Sequence, residues 1–280
     1  MLVNMKELLF DAQKGNYAVG SFSVANMEMV LGVLQAAEEL KAPVILQIAE
    51  VRLKQSPLEL IGPLMVAAAK NAKTPVAVHF DHGKTMPKIK LALELGFTSV
   101  MFDGSHLPLS ENIAQTQAVA AEARKLSACV EAEIGCVGGS EDGSEDIAIN
   151  CTSPEQAVEF AEKSGADALA IAIGNAHGNY KSEPKLRFDI LESVAKSVDL
   201  PLVLHGGTGI SPDDFVRCSK TGIRKINIAT ATFDSVESAV RKSYGENLIN
   251  GYYDLQSAEV RGAYENAKRH ILIFGSNGKA

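Results

Sequence analysis

Three histidines share one context. Each ends a short apolar run and each is followed by glycine. His82 closes Val76-Ala77-Val78-His79-Phe80-Asp81-His82-Gly83, His177 follows the run from Ala168 to Asn175, and His205 follows Pro201 to Leu204. A buried apolar strand does not carry an imidazole or a carboxylate comfortably unless something pairs with it, so these groups belong at strand ends, where the chain turns. One strand-end histidine is an ordinary rim residue. Three make a metal-site pattern, because a catalytic zinc takes three protein ligands and leaves a place for water or substrate. The glycines permit close approach of backbone or substrate. His79, His106 and His270 lack this combination, and His79 reads as a structural neighbour of the site.

Carboxylates accompany the histidines. Asp81 is either a general acid/base or a partner that orients an imidazole. Asp103 ends another apolar run, and Glu131 and Glu133, two apart, share one face of a strand. These three either back the metal ligands or hold a second cation. Residues 135–146, rich in glycine and acid, form the longest irregular stretch, and such loops usually serve as lids or binding loops. Glu141 in it is either a base that arrives as the loop closes or a solvated carboxylate.

The elements that must position these groups alternate along the chain. A helix over 4–14 precedes strands at 17–22, 44–48, 76–80, 98–102, 128–134, 167–173, 202–205 and 223–228. Helices follow each strand, with starts marked by Asn26, Ser56, Ser110, Ser153 and Ser211. Residues 49–56 read as a polar connection. Two helices, about 232–247 and 253–273, close the chain. Near-continuous apolar strands alternating with helices imply an α/β protein with a covered parallel sheet. Eight such units without a linker predict a single-domain (β/α)8 TIM barrel over 1–280 with an extra C-terminal helix. An open doubly wound sheet fits less well, since polar residues tip the strands in both halves and only a barrel collects them on one rim. Gly206-Gly207-Thr208-Gly209 and Asn227 to Thr230 follow strands seven and eight, where barrels often bind phosphate through backbone N–H groups.

Bulk properties exclude other classes. The net charge is −7, against a nucleic-acid footprint. No apolar run reaches the ~18 residues of a membrane span, and the N-terminus has no signal-peptide pattern. The four cysteines show no C-x-x-C spacing, and Cys129 and Cys136 read as packing residues. A cytoplasmic location with reduced thiols is expected. Metal, phosphate site and acidic loop together suggest aldol cleavage or isomerisation of a phosphorylated carbonyl compound, in which zinc polarises the ketone.

The residues resemble the class II, zinc-dependent fructose/tagatose-bisphosphate aldolases. The matching segments are Asp81 to Gly83, Phe102 to His106, Glu131 to Gly135 with Val137 to Asp142, Ala172 to Gly178, Leu204 to Gly209 and Lys225 to Thr230, in order over nearly the whole chain. The ending from Phe274 to Ala280 looks like the tagatose-type branch. The resemblance implies that His82, His177 and His205 bind Zn2+ and that Asp81 donates the proton to the aldehyde-side oxygen. It implies that Glu141 exchanges the proton at the nucleophilic carbon of dihydroxyacetone phosphate. Gly178, Gly206, Gly207, Thr208, Asn227, Ile228, Ala229 and Thr230 would contact that triose phosphate, often with a monovalent cation (Na+ or K+). It also implies a homodimer or homotetramer acting on a phosphorylated sugar, fructose or tagatose 1,6-bisphosphate, that yields glyceraldehyde 3-phosphate. Another ketose 1-phosphate with a different aldehyde is the alternative. A non-catalytic subunit that stabilises a partner aldolase would have lost ligands, and a metal-free isomerase would leave the histidines unexplained. The chain departs from the family pattern at Ser23, usually Asn, at 48–54, usually small residues, and at Ala231, often acidic. In the resemblance these fall on the aldehyde half, while the triose-phosphate half matches.

Overall fold

A computed structural model describes residues 1–139, 148–180 and 184–280. Eight parallel strands close into a barrel in sequence order. They are β1 (Val19–Ser23), β2 (Val44–Ala49), β3 (Val76–Gly83), β4 (Ser99–Phe102), β5 (Cys129–Ile134), β6 (Ala168–Ile171), β7 (Leu202–Leu204) and β8 (Ile223–Ile228). The helices are α1 (Met5–Gly15), α2 (Met27–Glu39), α3 (Leu58–Asn71), α4 (Met86–Glu94), α5 (Leu109–Lys125), α6 (Pro154–Ser164), α7 (Phe188–Ser197), α8 (Pro212–Thr221), α9 (Thr230–Gly245) and α10 (Tyr252–Phe274). The expected (β/α)8 barrel and its extra C-terminal helix are thus present.

The barrel interior is divided by polarity. Met5, Leu8, Leu9 and Ala12 of α1 plug the N-terminal mouth against Val19, Ile45, Ala77, Cys129, Ala170 and Val203. Two residues further along β1, β2, β3 and β5 the interior turns polar: Ser21, Gln47, His79 and Glu131 are fully buried, as is Lys225 of β8. Alternation along each strand puts these groups on the inner face. Burial of so much charge requires pairing, and the pairing builds the site described below.

Local chemistry explains most helix starts. Asn26, Ser153 and Ser211 each accept a backbone N–H in the first turn of α2, α6 and α8. Two expected caps are not made. Ser56 instead donates to Ala25 O at 2.8 Å, and α3 starts behind Pro57 without a side-chain cap. Pro108 occupies the cap of α5, so Ser110 lies inside its first turn. The connection after β2 is a short 3-10 helix, Glu50–Lys54. Helix α10 wedges between α2 and α9 on small residues: a Cβ on Gly262 would meet Val236 Cα at 2.5 Å. Among the described residues no helix is long and apolar enough to cross a membrane.

Candidate active site

Strand β3 delivers two adjacent groups to one place, which a plain strand cannot do. His79 and Asp81 alternate onto the inner face, and His82 should then point outward. The register between β3 and β4 shifts between Phe80 and Gly83, and His82 takes a left-handed φ of 45°. This bulge re-aims His82 over the barrel mouth, a use of strain that recurs at functional sites. The strand therefore runs to Gly83, three residues beyond the apolar run that predicts it.

His82, His177 and His205 come together there. One ring nitrogen from each lies within 4.8 Å of the others. His205 Nε2 faces Glu131 Oε1 at 2.8 Å, and His82 Nδ1 faces Asp103 Oδ2 at 2.8 Å. Carboxylates accept, so these nitrogens carry the protons. The remaining nitrogens, His205 Nδ1 and His82 Nε2, face one another at 2.9 Å. Two ring nitrogens this close share a proton or a cation between them, and the donor set fits zinc. Burial holds His79, His177 and His205 below the ordinary imidazole range, so they are neutral near pH 7, the state in which an imidazole ligates a metal.

Four acids surround the trio in different states. Burial would raise Asp81, but the His82 charge, the His79 hydrogen bond and Lys225 hold it well below the usual carboxylate range. Its oxygens accept from Gln47 Nε2 at 3.0 Å and Asn227 Nδ2 at 3.1 and 3.3 Å. Burial also opposes ionisation of Asp103, yet the hydrogen bond and charge of His82, with Ser105, keep it low. Glu131, against its burial, is brought to about 2 by Lys225 and His205. Glu133 is pushed up to about 8 by burial and by Asp103. Its Oε2 lies 3.6 Å from His205 Nδ1, so both strand-five acids face the site as expected.

The loops after β6, β7 and β8 are tied together beside this centre. Tyr180 Oη accepts from Ala176 N at 2.9 Å and donates to Gly206 O at 3.0 Å. Gly206 has φ 63°, and a Cβ there would sit 2.2 Å from Ala176 O, so only glycine fits. Gly207 N donates to Asn227 O at 3.3 Å, and Thr208 Oγ1 accepts from Ala231 N at 3.0 Å at the start of α9. Gly178, Gly206, Gly207, Thr208 and the segment Asn227, Ile228, Ala229 and Thr230 are thereby carried by three adjoining loops, although the Asn227 side chain turns inward to Asp81. The glycine-rich loop is anchored at its base: Cys136 pairs with Asn150, and Gly138 with Ala176 next to His177. Glu141 itself lies outside the described residues. Cys129 packs in the apolar layer, while Cys136 lines the mouth beside Asp103 and Glu133.

The positions that depart from the family pattern also have places. Ser23 Oγ accepts from Gln47 Nε2 at 3.1 Å, one step from Asp81. Glu50 accepts from Lys84 N at 2.7 Å and Thr85 N at 3.2 Å. The Arg52 guanidinium stacks over Phe233 at 5.2 Å, so 50–54 meets the start of α9 near Ala231. Gln47 and Lys225 are the site groups that sequence reasoning gave no role. Gln47 carried a signal, a polar residue inside the otherwise apolar run Val44-Ile45-Leu46-Gln47-Ile48, whereas Lys225 lies among the other polar residues of Ile223-Arg224-Lys225-Ile226-Asn227-Ile228.

A closed parallel barrel with three convergent imidazoles and ionised acids at its C-terminal mouth defines a barrel enzyme with a metal-competent centre. The chain matches the family described as fructose-bisphosphate aldolase class-II over residues 3–279. It therefore belongs to the class-II fructose-bisphosphate aldolase family, enzymes of the carbon–carbon lyase type. A fructose-bisphosphate aldolase of Staphylococcus aureus (strain Mu50 / ATCC 700699) is 43% identical, over 100% of this chain and 99% of that protein. A sulfofructosephosphate aldolase of Alkalicoccus urumqiensis is 38% identical over 99% of this chain and 98% of that protein. The crystal structure of the YdjI aldolase from Escherichia coli K12 superimposes with a TM-score of 0.90 at 38% identity over 100% of both chains.

Proposed function

We propose that this enzyme catalyses zinc-dependent aldol cleavage of a ketose 1,6-bisphosphate, of fructose or tagatose type, to dihydroxyacetone phosphate and glyceraldehyde 3-phosphate. The observation that carries the reading is the trio His82, His177 and His205, with the protons of His82 and His205 turned away into carboxylates. These residues would hold zinc, which when bound supplies Lewis-acid polarisation of the substrate carbonyl. Asp81, held ionised, takes the proton of the C4 hydroxyl as the C3–C4 bond breaks, and returns it to the aldehyde oxygen in condensation. Glu141 moves the proton at the carbon that becomes the nucleophile. The loops at Gly178, 206–208 and 227–230 hold the phosphate of dihydroxyacetone phosphate through backbone N–H groups and the α9 N-terminus. Asp103 and Glu133 orient the imidazoles or take a second ion.

Family membership supports the rest of this reading: a Na+ or K+ ion beside the phosphate, a cytoplasmic homodimer or homotetramer, and one catalytic unit over 1–280. The aldehyde is the open half. Ser23, 50–54 and Ala231 lie on one side of the mouth, and relatives at comparable identity are named for fructose bisphosphate and for sulfofructose phosphate. A ketose 1-phosphate with a different aldehyde is accordingly the second reading. Release of dihydroxyacetone phosphate from fructose and from tagatose 1,6-bisphosphate separates them. Rapid turnover of one sugar establishes the first reading. Failure of both, with condensation of dihydroxyacetone phosphate onto another aldehyde, establishes the second.

A further inference from the structure

We infer that Lys225 is a built-in cation of the barrel interior: it fills the place of a metal ion in a second ligand cluster and positions the metal centre above it. Three groups of metal-competent side chains occur among the described residues: the three imidazoles, the set His82, Asp103 and Glu133, and the set His79, Asp81 and Glu131. The last is fully buried and by donor type alone would take a divalent ion.

Lys225 makes that set different. Its side chain is 0% exposed, and Nζ lies 2.8 Å from Glu131 Oε2 and 3.1 Å from Glu131 Oε1. The same ammonium donates to Asn227 Oδ1 at 2.7 Å, and Asn227 Nδ2 donates onward to both oxygens of Asp81. Gln47 holds Asp81 from the other side. A divalent ion placed here would displace the ammonium or stand beside it, against like-charge repulsion in a fully buried interior. The chain's own lysine therefore already supplies the positive charge that the carboxylates of this cluster need.

The contacts give Lys225 a second task. A continuous path runs from His205 Nε2 to Glu131, to Lys225, to Asn227 and to Asp81. One end is a metal ligand and the other the proton-moving carboxylate. Lys225 fixes the Glu131 carboxylate, which accepts the Nε2 proton and so turns His205 Nδ1 toward His82. Without the ammonium, Glu131 would lose its anchor and its grip on the imidazole. Lys225, fully buried and acting through Glu131, is thus a positioning residue.

This inference rests on the reading that the three imidazoles hold zinc, and the tests read metal rather than turnover. Zinc-edge anomalous diffraction from the zinc-saturated wild type should show an ion among His82, His177 and His205 and none among His79, Asp81 and Glu131. An ion in the latter set overturns the inference. An imidazole set without zinc sinks the underlying reading as well. Zinc release to a chromophoric chelator should be about 10–100-fold faster in Lys225→Met, the range typical for losing a group that orients a ligand. Methylammonium should slow release from Lys225→Ala, because it refills the cation position, an effect that a purely structural lysine would not show. Release at the wild-type rate from folded Lys225→Met overturns the positioning role. If neither variant folds, the diffraction result on the wild type decides.

Discussion

Asp81 has the most consequential surroundings of any single residue here. It is fully buried, yet His82, His79 and Lys225 keep it ionised, while Gln47 and Asn227 fix its orientation. Such a carboxylate is suited to take a proton from a substrate hydroxyl. Asp81→Ala should retain zinc and lose roughly 10²–10⁴-fold in kcat, as general acid–base groups do. Metal analysis alongside steady-state kinetics checks this; loss of zinc would make Asp81 a support for His82 instead. The strand-end histidines and Asp81 were legible in the sequence because each ends an apolar run, and each of the three histidines is followed by glycine. Gln47 and Lys225 were not. Inside a strand, a polar residue reveals its role only once closure of the barrel shows that it faces the same interior as Asp81 and Glu131.

At the scale of elements, alternation predicts which residues share a face but cannot register one extra residue. That is why the sequence predicts β3 to Phe80 while the bulge carries it to Gly83 and swings His82 inward. Caps obey the same limit. Asn26, Ser153 and Ser211 act as local chemistry predicts, whereas Ser56 is recruited by Ala25 O, a partner distant in sequence. Helix α10 carries a further consequence. His270 is buried against Phe22, Phe215 and Phe274, and its Nδ1–H donates to Asn266 O at 2.8 Å. Burial lowers it to about 4, outweighing the Asn266 hydrogen bond, with Arg269 adding to the depression. The unfolded chain then binds the extra proton first. Its contribution is fully present above about pH 6.5 and is lost as pH falls toward 4, by about 3 kcal/mol at most. Urea unfolding at pH 7 and pH 4.5 should show a smaller acid loss in His270→Leu than in the wild type. Equal losses would show that His270 does not titrate in this way.

The whole molecule works by segregation. Helix α1 and an apolar layer seal one mouth, a buried polar layer fills the middle, and the strand ends converge on the other mouth. The barrel was legible because eight units run in order without a linker, and polar strand tips in both halves have one rim to share. The side of the mouth formed by 50–54 and the start of α9 was not, because it is built by contacts between distant segments such as Arg52 on Phe233. The proposed reaction depends on a zinc ion held by three imidazoles. The most direct measurement is dihydroxyacetone phosphate release by chelator-stripped enzyme titrated with zinc, for the wild type and His205→Ala. The expected result is no turnover in the stripped wild type, recovery complete at one zinc per chain, and neither zinc retention nor recovery in His205→Ala. Full turnover by the stripped enzyme, or normal zinc retention and turnover in His205→Ala, would contradict it.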